Sequence, residues 1–119
     1  MTERIPIPGQ PVRGSKTGKP IMALFDLLGR SWALGIVWSL SKGPQTFRAL
    51  QADCGGTSPT VLNRRLKELM ATGFVERGEQ GYRLSAAGAE LSDLLRPLGA
   101  LANEWADTLD VRGRSSTKD

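Results

Sequence analysis

From Pro20 onward, apolar residues recur at spacings of three and four, and the stretches between them hold glycine, proline or small polar residues. That rhythm predicts a series of short amphipathic helices. Met22, Leu24, Phe25, Leu27 and Leu28 predict a helix that begins near Pro20 and is ended by Gly29. Ser31 then stands as the cap of a second helix, with Trp32, Ile36, Val37 and Leu40 as its apolar stripe and Gly43-Pro44 as its stop. Thr46 is placed to cap a short third helix, FRALQADC, whose Phe47 and Leu50 face inward. After the turn Cys54–Ser58, Ser58 caps a fourth helix with Pro59 at its first position and Gly73 at its end.

Beyond Gly73 the period changes from helical to alternating. FVER and YRLS flank Gly78-Glu79-Gln80-Gly81, which predicts a β-hairpin. The last element, from Ala86, carries Leu91, Leu94, Leu95, Leu98, Leu101, Trp105 and Leu109 at helical spacing, and Pro97 predicts a kink or a break within it. So long a stripe exceeds what a small domain needs for its own core, so part of it is expected to meet a second copy of the chain. The residues proposed for that interface are Leu94, Leu98, Leu101 and Trp105.

A short third helix, a glycine turn and an amphipathic fourth helix read as helix-turn-helix. The fourth helix has two faces. Leu62, Leu66 and Leu69 stack on one, and Thr60, Asn63, Arg64 and Lys67, none of them acidic, fall on the other. Sixteen Lys and Arg against twelve Asp and Glu give a formal charge of +4 and a pI near 9.7, which favours an anionic partner such as double-stranded DNA.

The same composition removes several enzyme classes. Without histidine and with Cys54 as the only cysteine, the usual zinc sites, His-based triads and Cys-His pairs cannot be assembled. Gly9–Lys19 has glycines and lysines but lacks the strand and the ending of a phosphate-binding loop. Asp26, Glu90, Asp93 and Glu104 are expected to be spread over helix surfaces, with no partner group that makes a site of them. No enzymatic function, cofactor or metal is expected. Pro6, Pro8, Gly9 and Pro11 interrupt any signal-like apolar run, and no apolar stretch reaches the roughly 20 residues that span a bilayer, so a cytoplasmic location without a membrane partner is expected.

Helix, helix, helix-turn-helix, hairpin and terminal helix is the order of a winged helix domain, mainly α with a small β-hairpin wing. Gly29-x-x-Trp32, Gly43-Pro44 followed by Phe47 and Leu50, Leu62-x-x-x-Leu66-x-x-Leu69 and the stretch from Pro97 to Trp105, in this order, resemble the HxlR-type transcriptional regulators, relatives of the MarR group. The resemblance covers residues 20 to about 109. It implies a dimer paired through terminal helices that controls nearby genes. Two departures stand out. Where many members carry a cysteine before the first helix, this chain has Lys19, and only Gly78–Gly81 separate Arg77 from Tyr82, a short wing. The organisation expected is a flexible basic tail over residues 1–18, one DNA-binding and dimerisation domain over 19–110, and a flexible tail over 111–119.

Within this frame Asn63 suits adenine and Arg64 guanine, each as a bidentate pair, while Lys67 suits phosphate. Ser58 and Thr60 can donate to phosphate or a base edge near the helix N-terminus, and capping is the first role of Ser58. Thr46 and Arg48 open the third helix where it would cross the backbone, and Arg77 and Arg83 bracket the wing turn. Arg65 lies nearer the apolar side and is expected to pair with Glu68 rather than read bases. Arg4, Arg13 and Lys16 of the tail either follow a groove or raise non-specific affinity. Cys54 reads first as a small buried hydrophobe and second as an oxidation sensor. Trp32, Trp38 and Trp105 read first as core or interface residues and second as walls of a small-molecule effector pocket. The function expected is a sequence-specific, homodimeric transcriptional regulator, acting as a repressor on an inverted repeat. The alternative is a winged helix used for protein interaction or non-specific, architectural DNA binding.

Overall fold

The computed structural model describes residues 5–12, 16 and 18–113, with side chains as far as residue 109. Arg4, Arg13 and residues 114–119 therefore lie outside the described residues, and Lys16 is exposed. The described elements are α1 (Pro20–Leu28), α2 (Ala33–Leu40), α3 (Phe47–Asp53), α4 (Pro59–Ala71), β1 (Val75–Gly78), β2 (Gly81–Leu84) and α5 (Ala86–Gly113).

Pro20 opens α1 where its missing N–H costs nothing, and the Gly29 N–H closes the helix on the Phe25 carbonyl at 2.8 Å. Ala23, Asp26 and Leu27 point inward, whereas Phe25 is 60% exposed. The second helix departs from the sequence expectation. Ser31 does not cap it, because Arg65 takes both Ser31 acceptors: Nε donates to the carbonyl at 2.8 Å and a terminal guanidinium nitrogen to Oγ at 3.3 Å. Trp32 occupies the cap position instead, in the left-handed conformation with φ 71°. Its indole leaves the apolar stripe and lies over Gly35 and Gly55.

In α3 and α4 the caps fall where the sequence places them. The Ala49 N–H donates to Thr46 Oγ1 and the Val61 N–H to Ser58 Oγ, both at 3.1 Å. Each satisfies one of the donors a helix start leaves open. Gly55 and Gly56, both at φ 77°, reverse the chain between these helices, and Gln51 Nε2 donates to the Thr57 carbonyl across the turn. Leu62, Leu66 and Leu69 are completely buried. They meet Ile36, Val37 and Leu40 of α2, Leu50 and Cys54 from the α3 side, Val75 and Tyr82 of the hairpin and Leu91 of α5 in one core.

β1 and β2 pair antiparallel, Val75 with Leu84, Glu76 with Arg83, Arg77 with Tyr82 and Gly78 with Gly81, leaving Glu79-Gln80 as the turn. Gln45, just before α3, adds a bridge: its N–H donates to the Tyr82 carbonyl at 2.9 Å and its carbonyl accepts from the Tyr82 N–H at 2.8 Å. The wing is thereby tied to the start of the helix-turn-helix. Gly81 allows that approach, since a Cβ there would lie 2.3 Å from the Gln45 carbonyl oxygen and φ is +112°.

α5 runs through Pro97 without a break in the helix. Its first turns pack on the domain through Leu91, Ser92 and Leu95, and Gly99 lies against the Trp38 ring. Leu94, Leu98, Leu101, Trp105 and Leu109, at spacings of four and three, form an apolar stripe between 46% and 73% exposed. Among the described residues no single helix is long and apolar enough to cross a membrane.

Candidate DNA-binding surface

The site is assembled around α4. Its three leucines hold it against the domain, so the residues on the opposite side, Thr60, Asn63, Arg64 and Lys67, are all exposed. No acidic residue shares that face. α4 is 13 residues long, about 20 Å at 1.5 Å per residue, and a B-form major groove about 12 Å wide admits a helix of this kind. Ser58 is exposed at the N-terminus with its hydroxyl engaged as the cap.

α3 contributes Thr46, whose hydroxyl caps the helix, and exposed Arg48, its second residue. The wing divides its two arginines. Arg77 pairs with Tyr82 and lies over its ring, Cζ 5.0 Å from the centroid, on the face that turns toward the core. Arg83 pairs with Glu76 on the opposite face, Nε to Oε2 2.9 Å, with both side chains about half exposed. Residues 77 and 83 therefore do not present one common cationic edge.

Arg65 behaves as the sequence predicts, pairing with Glu68 at 3.4 Å besides its bonds to Ser31. Neither the ion pair that Arg30, on the α1–α2 connection, makes with Glu68 at 2.8 Å nor the Gln45 bridge to the wing is signalled by local sequence pattern. Their partners lie 38 and 37 residues away, beyond what helical or strand periodicity can link.

At the other end of α3, Asp53 accepts from Ser39 Oγ and pairs with Lys42 at 2.7 Å. The hydrogen bonds from Lys42 and Ser39 hold its carboxyl below the usual carboxylate range. Cys54 is 5% exposed, and burial, with the neighbouring Asp53 charge, pushes its thiol up. A thiol so placed is held in the less nucleophilic protonated form, which favours the packing role. Trp32 and Trp38, expected in the core or an interface, are 43% and 48% exposed and line a shallow recess of about 420 Å³ with Gly35, Cys54 and the Lys42–Asp53 pair.

With this geometry established, comparison with known proteins is specific. The family model described as HxlR-like helix-turn-helix matches residues 27–110. The HTH-type transcriptional regulator YvaP of Bacillus subtilis (strain 168) is 34% identical over 89 residues, which is 69% of this chain and 82% of that protein. The solved structure of quinone-bound YodB from B. subtilis superposes with a TM-score of 0.64 at 31% identity, covering 71% of this chain and 96% of that one. An HxlR family transcriptional factor from Thermoplasma volcanium GSS1 gives a TM-score of 0.64 at 31% identity over 77% of this chain and 85% of its own. Family model, relatives and fold converge, and the chain belongs to the HxlR family of helix-turn-helix transcriptional regulators, DNA-binding proteins rather than enzymes.

Proposed function

We propose that the chain is a homodimeric repressor that inserts α4 of each copy into successive major grooves of an inverted repeat. The observation that carries this reading is the division of α4: one face completely buried in leucine, the other exposed and free of acid. Asn63 and Arg64 sit on the outer face as base-reading side chains, with Lys67 on phosphate and Thr60 near the helix start, where the dipole favours an anion. Thr46 and Arg48 of α3 meet the flanking backbone. Ser58 contributes mainly by capping, and the wing arginines play a secondary part, since Arg83 is offset by Glu76 and Arg77 is stacked on Tyr82.

Dimerisation rests on the exposed stripe of α5. Leu94, Leu98, Leu101 and Trp105 lie on one side of a helix that continues beyond the domain core, and a two-fold axis along it covers the stripe with its own copy. Two α4 helices then read half-sites whose centres lie about 10 base pairs, or a multiple of that, apart. Binding in this position represses by occluding polymerase. A small-molecule effector of this chain is part of the same reading, supported by the quinone carried by its structural neighbour YodB.

Selection of the purified protein against a random double-stranded DNA pool at about 150 mM salt, where ionic attraction is partly suppressed, tests the proposal. Enrichment of an inverted repeat is the expected result. Retention of DNA without any enriched motif would refute sequence reading and leave an architectural or protein-binding winged helix.

A further inference from the structure

Four charged side chains lie inside the molecule beside α4 and alternate in sign. Asp26 of α1 is 3.5 Å from Arg30, Arg30 is 2.8 Å from Glu68, and Glu68 is 3.4 Å from Arg65. Their side chains are only 3%, 3%, 6% and 11% exposed. Arg65 also donates to the carbonyl and hydroxyl of Ser31, next to the left-handed Trp32. The α1–α2 connection therefore reaches α4 through Arg30, and α4 reaches the connection through Arg65.

The position of these contacts around the helix matters. At 100° per residue, Arg65 and Glu68 fall on one flank of α4, between the leucine face and the face that holds Thr60, Asn63, Arg64 and Lys67. Leucines beneath a helix resist its lifting but make non-directional contacts that tolerate a roll about the axis. Ion pairs on the flank act across the axis and oppose that roll. With side chains extending about 6 Å from the axis, a roll of about 10° carries their tips about 1 Å, about twice the distance range of a hydrogen bond that reads a base.

We propose that Arg30, Glu68 and Arg65 are positioning residues that fix the rotation of α4 and thereby set base discrimination by Asn63 and Arg64. This rests on the sequence-reading function proposed above. Stability alone does not account for the cluster, because buried ion pairs replaced by apolar residues of similar volume commonly leave a protein as stable or more so. What directional pairs supply and apolar packing does not is a fixed orientation.

The test compares wild type, Glu68→Gln and the double variant Arg30→Met/Glu68→Leu, each well below its melting temperature. The readouts are the ratio of affinities for the enriched repeat and a scrambled duplex at equal salt, and the salt slope on the scrambled duplex. The double variant is expected to fold with a lower melting temperature, because Asp26 loses its Arg30 partner and Arg65 its Glu68 partner, and to keep its salt slope while the ratio falls at least tenfold. Glu68→Gln is read in the same way if the double variant does not fold. A folded variant whose ratio stays within twofold of wild type overturns the inference, as does equal weakening on both duplexes. Failure of both variants to fold makes the cluster a stability element and overturns it too. Wild type without any sequence preference refutes the underlying function instead, and that arm is scored before any variant.

Discussion

If the chain pairs through α5 as proposed, replacing Leu98 and Leu101 with alanine should separate the two copies without disturbing either domain. Neither residue belongs to the core, whose contribution from α5 is Leu91 with Leu95 packed beside it. Leu98 is 49% and Leu101 56% exposed, so pairing of the stripes stands to bury about half of each side chain. Full burial of a leucine contributes roughly 1.5–3 kcal/mol, so half of one contributes about 1 kcal/mol. A two-fold axis repeats both losses, giving about 4 kcal/mol over four side chains, or about a thousandfold in the dimer dissociation constant. Sedimentation over a range of protein concentrations measures that constant, and circular dichroism checks that helix content is retained. A change of less than tenfold in a folded variant would place the interface elsewhere and remove α5 from the dimer. Aspartate at the same positions should weaken the dimer further, because an unpaired charge would be buried with each side chain.

Arg64→Ala should relax preference at one base position of the selected repeat, whereas Lys67→Ala should weaken binding to all sequences and flatten the salt slope by about one unit; equal losses from both on every duplex would count against base reading by Arg64. Gly81→Ala sets a Cβ 2.3 Å from the Gln45 carbonyl at a φ of +112°, and should destabilise the fold by about 2–3 kcal/mol in denaturant titration. An unchanged midpoint would mean that the Gln45–Tyr82 bridge yields easily. Asp53 has a lowered folded pKa, so its pairing with Lys42 and Ser39 stabilises above the ordinary carboxylate value near 3.8 and is lost as pH falls through the lower, folded value. The melting temperature of Asp53→Asn should therefore lie below that of wild type at neutral pH and converge with it in acid; a gap that persists in acid would place the effect in packing.

The elements were legible because their signals are local. Thr46, Ser58, Pro20 and Pro59 mark helix starts by chemistry that acts within four residues, and the structure uses all four in that way. Ser31 carries the same signal and fails, because Arg65 from α4 claims its oxygens. The burial of Leu62, Leu66 and Leu69 followed from periodicity, whereas Phe25 and Trp32, apolar and helically spaced, stand outside the core for reasons of tertiary placement. The split of Arg77 and Arg83 was available in principle. A hairpin turning at Glu79-Gln80 pairs residue 77 with 82 and 76 with 83, and alternation sends those pairs to opposite faces.

That split bears on how such a protein distinguishes its operator from other DNA. With Arg83 neutralised by Glu76 and Arg77 committed to Tyr82, the wing adds little net charge with which to grip the flanking backbone. In the proposed mode of binding, recognition then depends on α4, where the side chains assigned to bases and to phosphate share one face and move together. A helix held by leucines alone would present those side chains over a range of rotations, and discrimination would be averaged over that range. On the inference drawn above, the charge cluster on the flank of α4 narrows it, so that the alignment of Asn63 and Arg64 with a base would depend on side chains that do not meet the DNA. The residues that set specificity then extend from the exposed face, through Glu68 and Arg65, to the connection between α1 and α2.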